Sequence, residues 1–449
     1  MYYFNRETKY LALLILSVLL VNCTSEKDYD VVKKAEPKYA VVKRARAITE
    51  RTNHLSYKEA LSIAMNSISM VDGKSGMTRG KSNRRVINEK NGVFTIGSKS
   101  DVTRSGDYVE DTLLYVFNFN DNQGFAVVSA NRNTESLLAV TESGSYQPDT
   151  ESEIDGLNEF MKMAKEYVKN AKNTLIKTSD SYNYWKVESD TLEYSRLEAK
   201  IPVAWGQDGV AGTYCSNNTA GCGPIVMAQI MSYYQHPNSF TFTFGNRDIN
   251  YETVNWSQIN QHVHTGSHPY PLCNGNSNLD KTIGRICREL GCKARSTYKS
   301  NGATSTSPGA LYDVLTYYGY TMPGFHSIPS DENSFMDWLV EDKLIIMVGY
   351  KQNDIGHFWL IDGGFHIKTH SVVYASQDEV NWVSYHDWTI NQTYSHINWG
   401  WDGFCNGLFL YNVFNANSAS EYDNGSSYNN HTDDDVNFYR GVKYSLVYY

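Results

Sequence analysis

Ala220-Gly221-Cys222-Gly223-Pro224-Ile225-Val226-Met227-Ala228-Gln229-Ile230-Met231 is a turn of small residues that runs directly into an apolar helical pattern. Pro224 fits the first turn of a helix, where backbone N–H groups have no intrahelical partner, so the pattern places Cys222 at the helix start. A thiol there feels the positive end of the helix dipole, which favours the thiolate, the form that attacks a carbonyl carbon. Taken alone, the segment fits two readings equally: an activated nucleophile, or a buried or disulfide-bonded structural cysteine.

The flanking sequence supplies what a nucleophile needs. Upstream, Ala204-Trp205-Gly206-Gln207 carries an amide that can donate to the oxyanion of a tetrahedral intermediate together with the Cys222 backbone N–H. Downstream, Asp354-Ile355-Gly356-His357-Phe358-Trp359-Leu360-Ile361-Asp362-Gly363 puts His357 at the start of an apolar strand, after the strand Leu344 to Tyr350. A cysteine nucleophile requires an imidazole to hold the thiolate as an ion pair and to protonate the leaving amine; a lone strand histidine is otherwise structural. Tyr394-Ser395-His396-Ile397-Asn398-Trp399-Gly400-Trp401-Asp402-Gly403 reads as another strand ending in a tight Trp and Gly turn. Asn398 can accept from the imidazole and fix its tautomer, with Trp399 and Trp401 either screening that contact or serving as core aromatics.

No such cluster exists in the first half. Ser56-Tyr57-Lys58-Glu59 is a capping box before Leu61, Ala64, Met65 and Ile68 at helical spacing. Residues Gly73 to Asp101 read as a loop. Leu113 to Phe119 and Gly124 to Ser129 read as a hairpin across Asn120-Asp121-Asn122-Gln123, Ser136 to Val140 as a further strand, and Ile154 to Val168 as a second amphipathic helix. The expected organisation is a signal peptide over 1–22, a tether over 23–54, a small α+β unit over 55–176, a polar linker open to proteolysis over 177–200, and a second domain over 201–449.

At the N-terminus, Arg6 and Lys9 precede an apolar run from Tyr10 to Val21, short for a membrane span and suited to a signal-peptide core, so the chain is expected to be exported. Leu20-Val21-Asn22-Cys23 resembles a bacterial lipobox, which implies lipidation at Cys23 and an outer-membrane or cell-surface lipoprotein, with a soluble secreted product as the other reading. Asn22 departs from the usual Ala, Gly or Ser, and the following Ser25-Glu26-Lys27-Asp28 resembles a Bacteroidetes surface-export signal. Membrane contact is then expected through lipid alone.

A length of 449 residues suggests two or three domains, and a net charge of −9 without a Lys/Arg cluster after residue 90 gives no footprint for nucleic acid. Besides Cys23 the cysteines are Cys215, Cys222, Cys273, Cys287, Cys292 and Cys405, with no CxxC and no Cys/His pattern at zinc spacing, so neither metal nor organic cofactor is expected.

Together, Trp205-Gly206-Gln207, Gly221-Cys222 with Ala228-Gln229-Ile230-Met231, Gly356-His357 with Ile361-Asp362-Gly363, and Asn398-Trp399-Gly400-Trp401 resemble the streptopain family of papain-like cysteine peptidases. Tyr115 to Phe119 and Gly124 to Ala130 resemble its propeptide. The resemblance implies an α+β chain: a papain-like domain with a helical half and an antiparallel sheet half, preceded by a small α+β propeptide. It also implies a zymogen, with the N-terminal unit as an intramolecular inhibitor that displaces the catalytic histidine, and polypeptides as substrates. Residue by residue it gives nucleophile Cys222, base His357, oxyanion donor Gln207, and Asn398, Trp399 and Trp401 orienting His357 or lining its site. Gly223-Pro224 replaces the family's more usual Val-Ala, and Phe365 to Thr393 looks like an insertion suited to a flap or partner surface. Tyr298 to Leu311 and Gly425 to Gly441 are expected to border the cleft. Competing readings are a binding or inhibitory surface protein in which Cys222 is tied to Cys215, acyl transfer on the same Cys/His pair, and processing of one dedicated propeptide, since Cys222-Gly223-Pro224 resembles bacteriocin-processing enzymes.

Overall fold

In a computed structural model, the described residues are 38–43, 54–72, 85–89, 92–97, 102–103, 112–131, 134–148, 152–170, 184–244, 248–262, 278–351, 354–378, 380–414 and 442–449. The expectations for the signal peptide, Cys23, Cys273 and Gly425–Gly441 lie outside them.

The N-terminal unit follows its sequence patterns closely. Helix α1 (Tyr57–Asp72) begins with the expected capping box: the Glu59 carboxylate accepts from the Ser56 backbone N–H at 3.1 Å, and the Glu59 N–H donates to the Ser56 hydroxyl at 3.4 Å. A short strand β1 (Lys38–Lys43) precedes it, and an antiparallel sheet follows: β2 (Val93–Gly97), β3 (Val102–Thr103), β4 (Thr112–Asn118), β5 (Phe125–Ser129) and β6 (Leu137–Thr141). Val93-Phe94-Thr95-Ile96, read within a loop, is fully buried as β2 paired to β4, because the flanking polar sequence masked a short apolar run. Successive residues of β4 and β5 are buried, so the sheet is covered on both faces, which is why the two strands do not alternate in polarity. Helix α2 (Asp155–Lys169) packs on β4.

The second unit divides into helices and a sheet. Helix α3 (Cys222–Tyr234) is apolar around its circumference and buried from Gly223 to Ser232, as a helix at the centre of a domain must be. Helices α4 (Asn278–Lys293) and α5 (Pro308–Tyr317) pack beside it. The strands are β7 (Tyr184–Leu197), β8 (Ser239–Phe244), β9 (Asp248–Thr253), β10 (Thr297–Tyr298), β11 (Thr304–Ser305), β12 (His326–Ser327), β13 (Leu344–Lys351), β14 (Asp354–Ser376), β15 (Val383–Asn398), β16 (Gly407–Leu410) and β17 (Lys443–Val447).

Among the described residues one 13-stranded sheet crosses both units in the order β12-β17-β13-β14-β15-β16-β6-β5-β4-β2-β3, with β7 off this path against β14 and β1 against β7. The junction is β16 with β6, antiparallel, Gly407 opposite Thr141. Alternation along β13 and β14 divides the cores. Leu344, Ile346, Val348, Phe358 and Leu360 pack with α3, whereas Ile345, Met347, Trp359 and Ile361 pack with residues of the N-terminal unit. The sheet is therefore buried on both sides, and its second face is covered jointly by the N-terminal unit and by Phe335 and Leu339 of the helix Ser334–Val340. Phe160 of α2 meets Phe409 edge to face at 4.8 Å and lies 5.4 Å from Phe414. Burying such a ring contributes roughly 1.5–3 kcal/mol.

Two stretches differ from expectation. The region read as a linker over 177–200 contains β7, paired antiparallel to β14 from Gly364↔Leu197 to Ser376↔Tyr184. Asp190, Leu192, Glu193 and Ser195 are exposed on it, which removed the two-fold apolar signal that marks a half-buried strand. The Phe365 to Thr393 insertion is the extended arm of the β14–β15 hairpin, with β7 along one side and β1 outside β7.

Candidate active site

Gly221 caps α3 at φ 89°, a conformation open to glycine, and a Cβ there would stand 2.8 Å from the Thr304 side chain. This turn sets Cys222 at the helix start, as expected. Cys222 is half-buried and reduced, and it is not joined to Cys215, whose thiol lies instead 3.9 Å from the Tyr298 hydroxyl. That removes the basis for a disulfide-silenced Cys222.

The protonation state departs from expectation. Burial pushes the Cys222 thiol up to about 11, outweighing backbone N–H groups of Phe358 and Gly223 that favour the thiolate, and the Asp155 carboxylate adds to the rise. Desolvation is stronger here than the helix terminus. Burial therefore favours the neutral thiol over the thiolate here.

His357 is 3 % exposed on β14, on the same face as Trp359, whose ring lies nearly parallel to the imidazole at 6.2 Å. Burial lowers its pKa, opposed by a hydrogen bond to the Trp399 carbonyl and by Asp155. The Nε2–Trp399 O distance is 2.9 Å. A carbonyl only accepts, so Nε2 carries the hydrogen and Nδ1 is the basic nitrogen. The Phe358 N–H, next to His357, reaches the Cys222 sulfur, which puts the two groups at one end of β14. Among the described residues the thiol and imidazole are not hydrogen-bonded to each other.

Asn398, expected to hold the imidazole, has other partners. Its Oδ1 accepts from the Gly400 N–H at 3.1 Å and from Gln229 at 3.4 Å, and its Nδ2 donates to the Val203 carbonyl at 3.3 Å. Asn398 fixes the turn, and the backbone of Trp399 does the orienting. The Trp399 ring is fully buried, with its indole N–H donating to the Cys405 carbonyl at 3.1 Å, and Trp401 is half-buried against the shared core. Gln207 is 9 % exposed; its carbonyl accepts from the Ala220 N–H at 2.6 Å, which ties its loop to the Cys222 turn. Asp402 accepts from the Gly206 N–H at 2.8 Å and joins the same loop to the Trp turn. The β10–β11 hairpin, expected at the cleft, packs on the nucleophile turn through Thr304 at Gly221 and Thr306 at Gly223.

The resemblance implied that the N-terminal unit covers the site, but sequence reasoning did not name the residues that touch it. Gly156, in the first turn of α2, lies so close that a Cβ there would sit 2.4 Å from the Trp399 ring and 2.9 Å from the His357 ring. Its neighbour Asp155 acts electrostatically on both Cys222 and His357. The Ser143 hydroxyl donates to the Gly403 carbonyl at 2.7 Å, a further tie from the N-terminal unit to the Trp turn. The available signal was the glycine on an otherwise bulky apolar helix face, which marks a close approach without naming the partner.

Two family models match in tandem: the Spi protease inhibitor over residues 45–168 and the peptidase C10 family over 194–409. Residues 194–409 form a peptidase C10, or streptopain-family, domain. It is similar to streptopains of Streptococcus pyogenes, among them that of serotype M1, at 22 % identity, covering 71 % of this chain and 79 % of theirs. A solved structure of a Prevotella intermedia prointerpain A fragment matches with a TM-score of 0.45 at 17 % identity, covering 75 % of this chain and 95 % of that one. The two family matches, with the mixed helices and sheet described above, give a papain-like C10 peptidase domain behind an inhibitor-type propeptide, in an α+β architecture.

Proposed function

We propose that this C10 chain is an exported cysteine endopeptidase held inactive by residues of its own N-terminal domain. The observation that carries the proposal is the first turn of α2 pressed by Gly156 onto His357 and Trp399, beside a thiol that burial keeps neutral. A substrate chain needs the space that this turn fills.

Once the cover leaves, water reaches Cys222 and the desolvation term falls, so the helix start and the nearby N–H groups favour the thiolate. His357 Nδ1 takes the thiol proton while Nε2 stays on the Trp399 carbonyl. The sulfur adds to the scissile carbonyl, and the oxyanion is held by the Cys222 N–H and the Gln207 amide. The imidazolium protonates the leaving amine, giving a thioester, and His357 then deprotonates the water that hydrolyses it. Export as a lipoprotein through Cys23 is part of the proposal, supported by the Tyr10–Val21 run and the residues before Cys23.

The test is hydrolysis of a denatured protein substrate by the chain before and after limited trypsin treatment. Activity is expected only afterwards, absent in Cys222→Ala and reduced roughly 10²- to 10⁴-fold in His357→Ala. Equal activity of the Cys222→Ala chain would refute the nucleophile assignment.

A further inference from the structure

The chain at Lys200 and Ile201 is seated on Asp362 of β14. Ile201 is 5 % exposed and packs in the helical-side core, while Glu198 just before it is exposed. Its backbone nitrogen lies 3.0 Å from Asp362 Oδ2, and Asp362 is 1 % exposed. Asp362 Oδ1 accepts from His396 Nδ1 at 2.6 Å, and His396 Nε2 stands 3.5 Å from Glu142 Oε1 of the N-terminal domain. Lys200 donates its N–H to the Asp362 carbonyl at 3.0 Å, and a Cβ on Gly363 would come within 2.8 Å of the Leu197 carbonyl, so the whole approach is laid tightly on β14.

In the intact chain, two buried carboxylates thus bracket one imidazole, and Asp362 receives only a neutral amide on its other oxygen. Removal of the N-terminal domain takes Glu142 away. We infer that maturation ends by hydrolysis between Lys200 and Ile201, and that Asp362 is the receptor for the resulting Ile201 α-ammonium; the inference rests on the zymogen reading above. The C–N bond breaks and one water is consumed. Its hydroxyl stays on the Lys200 carbonyl carbon and its hydrogen goes to the Ile201 nitrogen. The acid proton then moves to the amine, leaving a carboxylate and an ammonium. The ammonium needs no new position, because its nitrogen already sits at the carboxylate. Lys200 supplies the basic side chain before the cut; it is half-buried with its Nζ 2.6 Å from Asp342 Oδ1, so that pair must open first.

The seat is joined to the active site. Asp362 shares β14 with His357, and His396 lies on β15 just ahead of Trp399, whose carbonyl holds His357. An ammonium–carboxylate pair there fixes the junction of the two strands, so Ile201 and Asp362 act as positioning residues.

The test uses the full chain with Cys222→Ala, treated with trypsin, and the wild-type chain treated alike. Intact mass and N-terminal sequencing read the start of the stable core, and reductive methylation reads the α-amine. A core beginning at Ile201 is expected, its α-amine methylated roughly ten- to a hundredfold more slowly than in urea, as a buried charge-assisted hydrogen bond implies. Asp362→Asn should lose that protection, and Lys200→Ala should leave the core starting upstream with reduced kcat at similar KM. A folded core that starts upstream of Lys200 and hydrolyses substrate at full rate overturns the inference while leaving the peptidase reading standing. An Ile201 amine as reactive as in urea also overturns it. Absence of hydrolysis in every form counts against the peptidase reading instead, since mass and amine protection are read without activity.

Discussion

Cys222 and His357 sit at one end of β14 without the charge that would make them a catalytic pair, and burial explains both. A thiol pushed up to about 11 takes part in no ion pair at neutral pH. The expected outcome is an iodoacetamide alkylation profile for Cys222 in the intact chain that rises only toward about pH 11, and one that shifts below the ordinary thiol range of about 8.5 after propeptide release. The folded thiol pKa lies above its ordinary value. Its contribution to the stability of the intact form is therefore complete below the ordinary pKa and lost as pH rises toward about 11. For His357 the folded pKa is lowered, so its contribution is present above the ordinary imidazole range and is lost as pH falls through it. Mild acid should thus loosen the propeptide, measured as a falling thermal midpoint of the intact chain below about pH 6.5 that is blunted in His357→Gln. Gly156→Val is the sharpest substitution: its side chain collides with Trp399 and His357. It should cost about 1–3 kcal/mol of docking and raise inhibitor labelling of Cys222 in the uncut chain.

At the scale of elements, the patterns that were legible were those backed by local chemistry. The Ser56 capping box, the Gly221-Cys222 helix start and the β4–β5 hairpin turn are each specified within a few residues, and each forms where its residues indicate. β2 and β7 were not legible, because their identity depends on partners distant in sequence: β2 is a short run among polar residues, and β7 exposes many of its side chains along the β14 arm. Whether Asn398 or Trp399 holds His357 stayed open in the sequence for a related reason. The choice between the Asn398 side chain and the backbone carbonyl of Trp399 is made by the turn through Gly400, which one residue of strand register decides. The α2 contact is the element that tests the cover. Phe160→Ala should destabilise the intact chain by roughly 3–5 kcal/mol in chemical denaturation while leaving the trypsin-released core unchanged, since Phe160 departs with the N-terminal domain and only the intact chain packs it on Phe409 and Phe414.

Over the whole molecule, the division of residues on β13 and β14 between two cores means that the sheet is covered by helices on one side and, on the other, by the N-terminal domain together with the helix Ser334–Val340. Removing the propeptide exposes the face that carries Trp359 and Trp399 and leaves β16 without its partner β6. The released core should then have a lower melting temperature than the intact chain, and the separated N-terminal domain added back should restore both the midpoint and latency. The local patterns and the family likeness reached the inhibitor-then-peptidase order and the helix start at Cys222, but not this shared sheet, because a pairing such as Gly407 with Thr141 leaves no mark in either segment. The most direct measurement is covalent labelling of the reduced chain with E-64 before and after mild trypsin, read by intact mass and peptide mapping. Label confined to Cys222, and gained only once the N-terminal domain is released, is the predicted result; label at Cys222 of equal extent in the intact chain, or none in either form, would contradict the account.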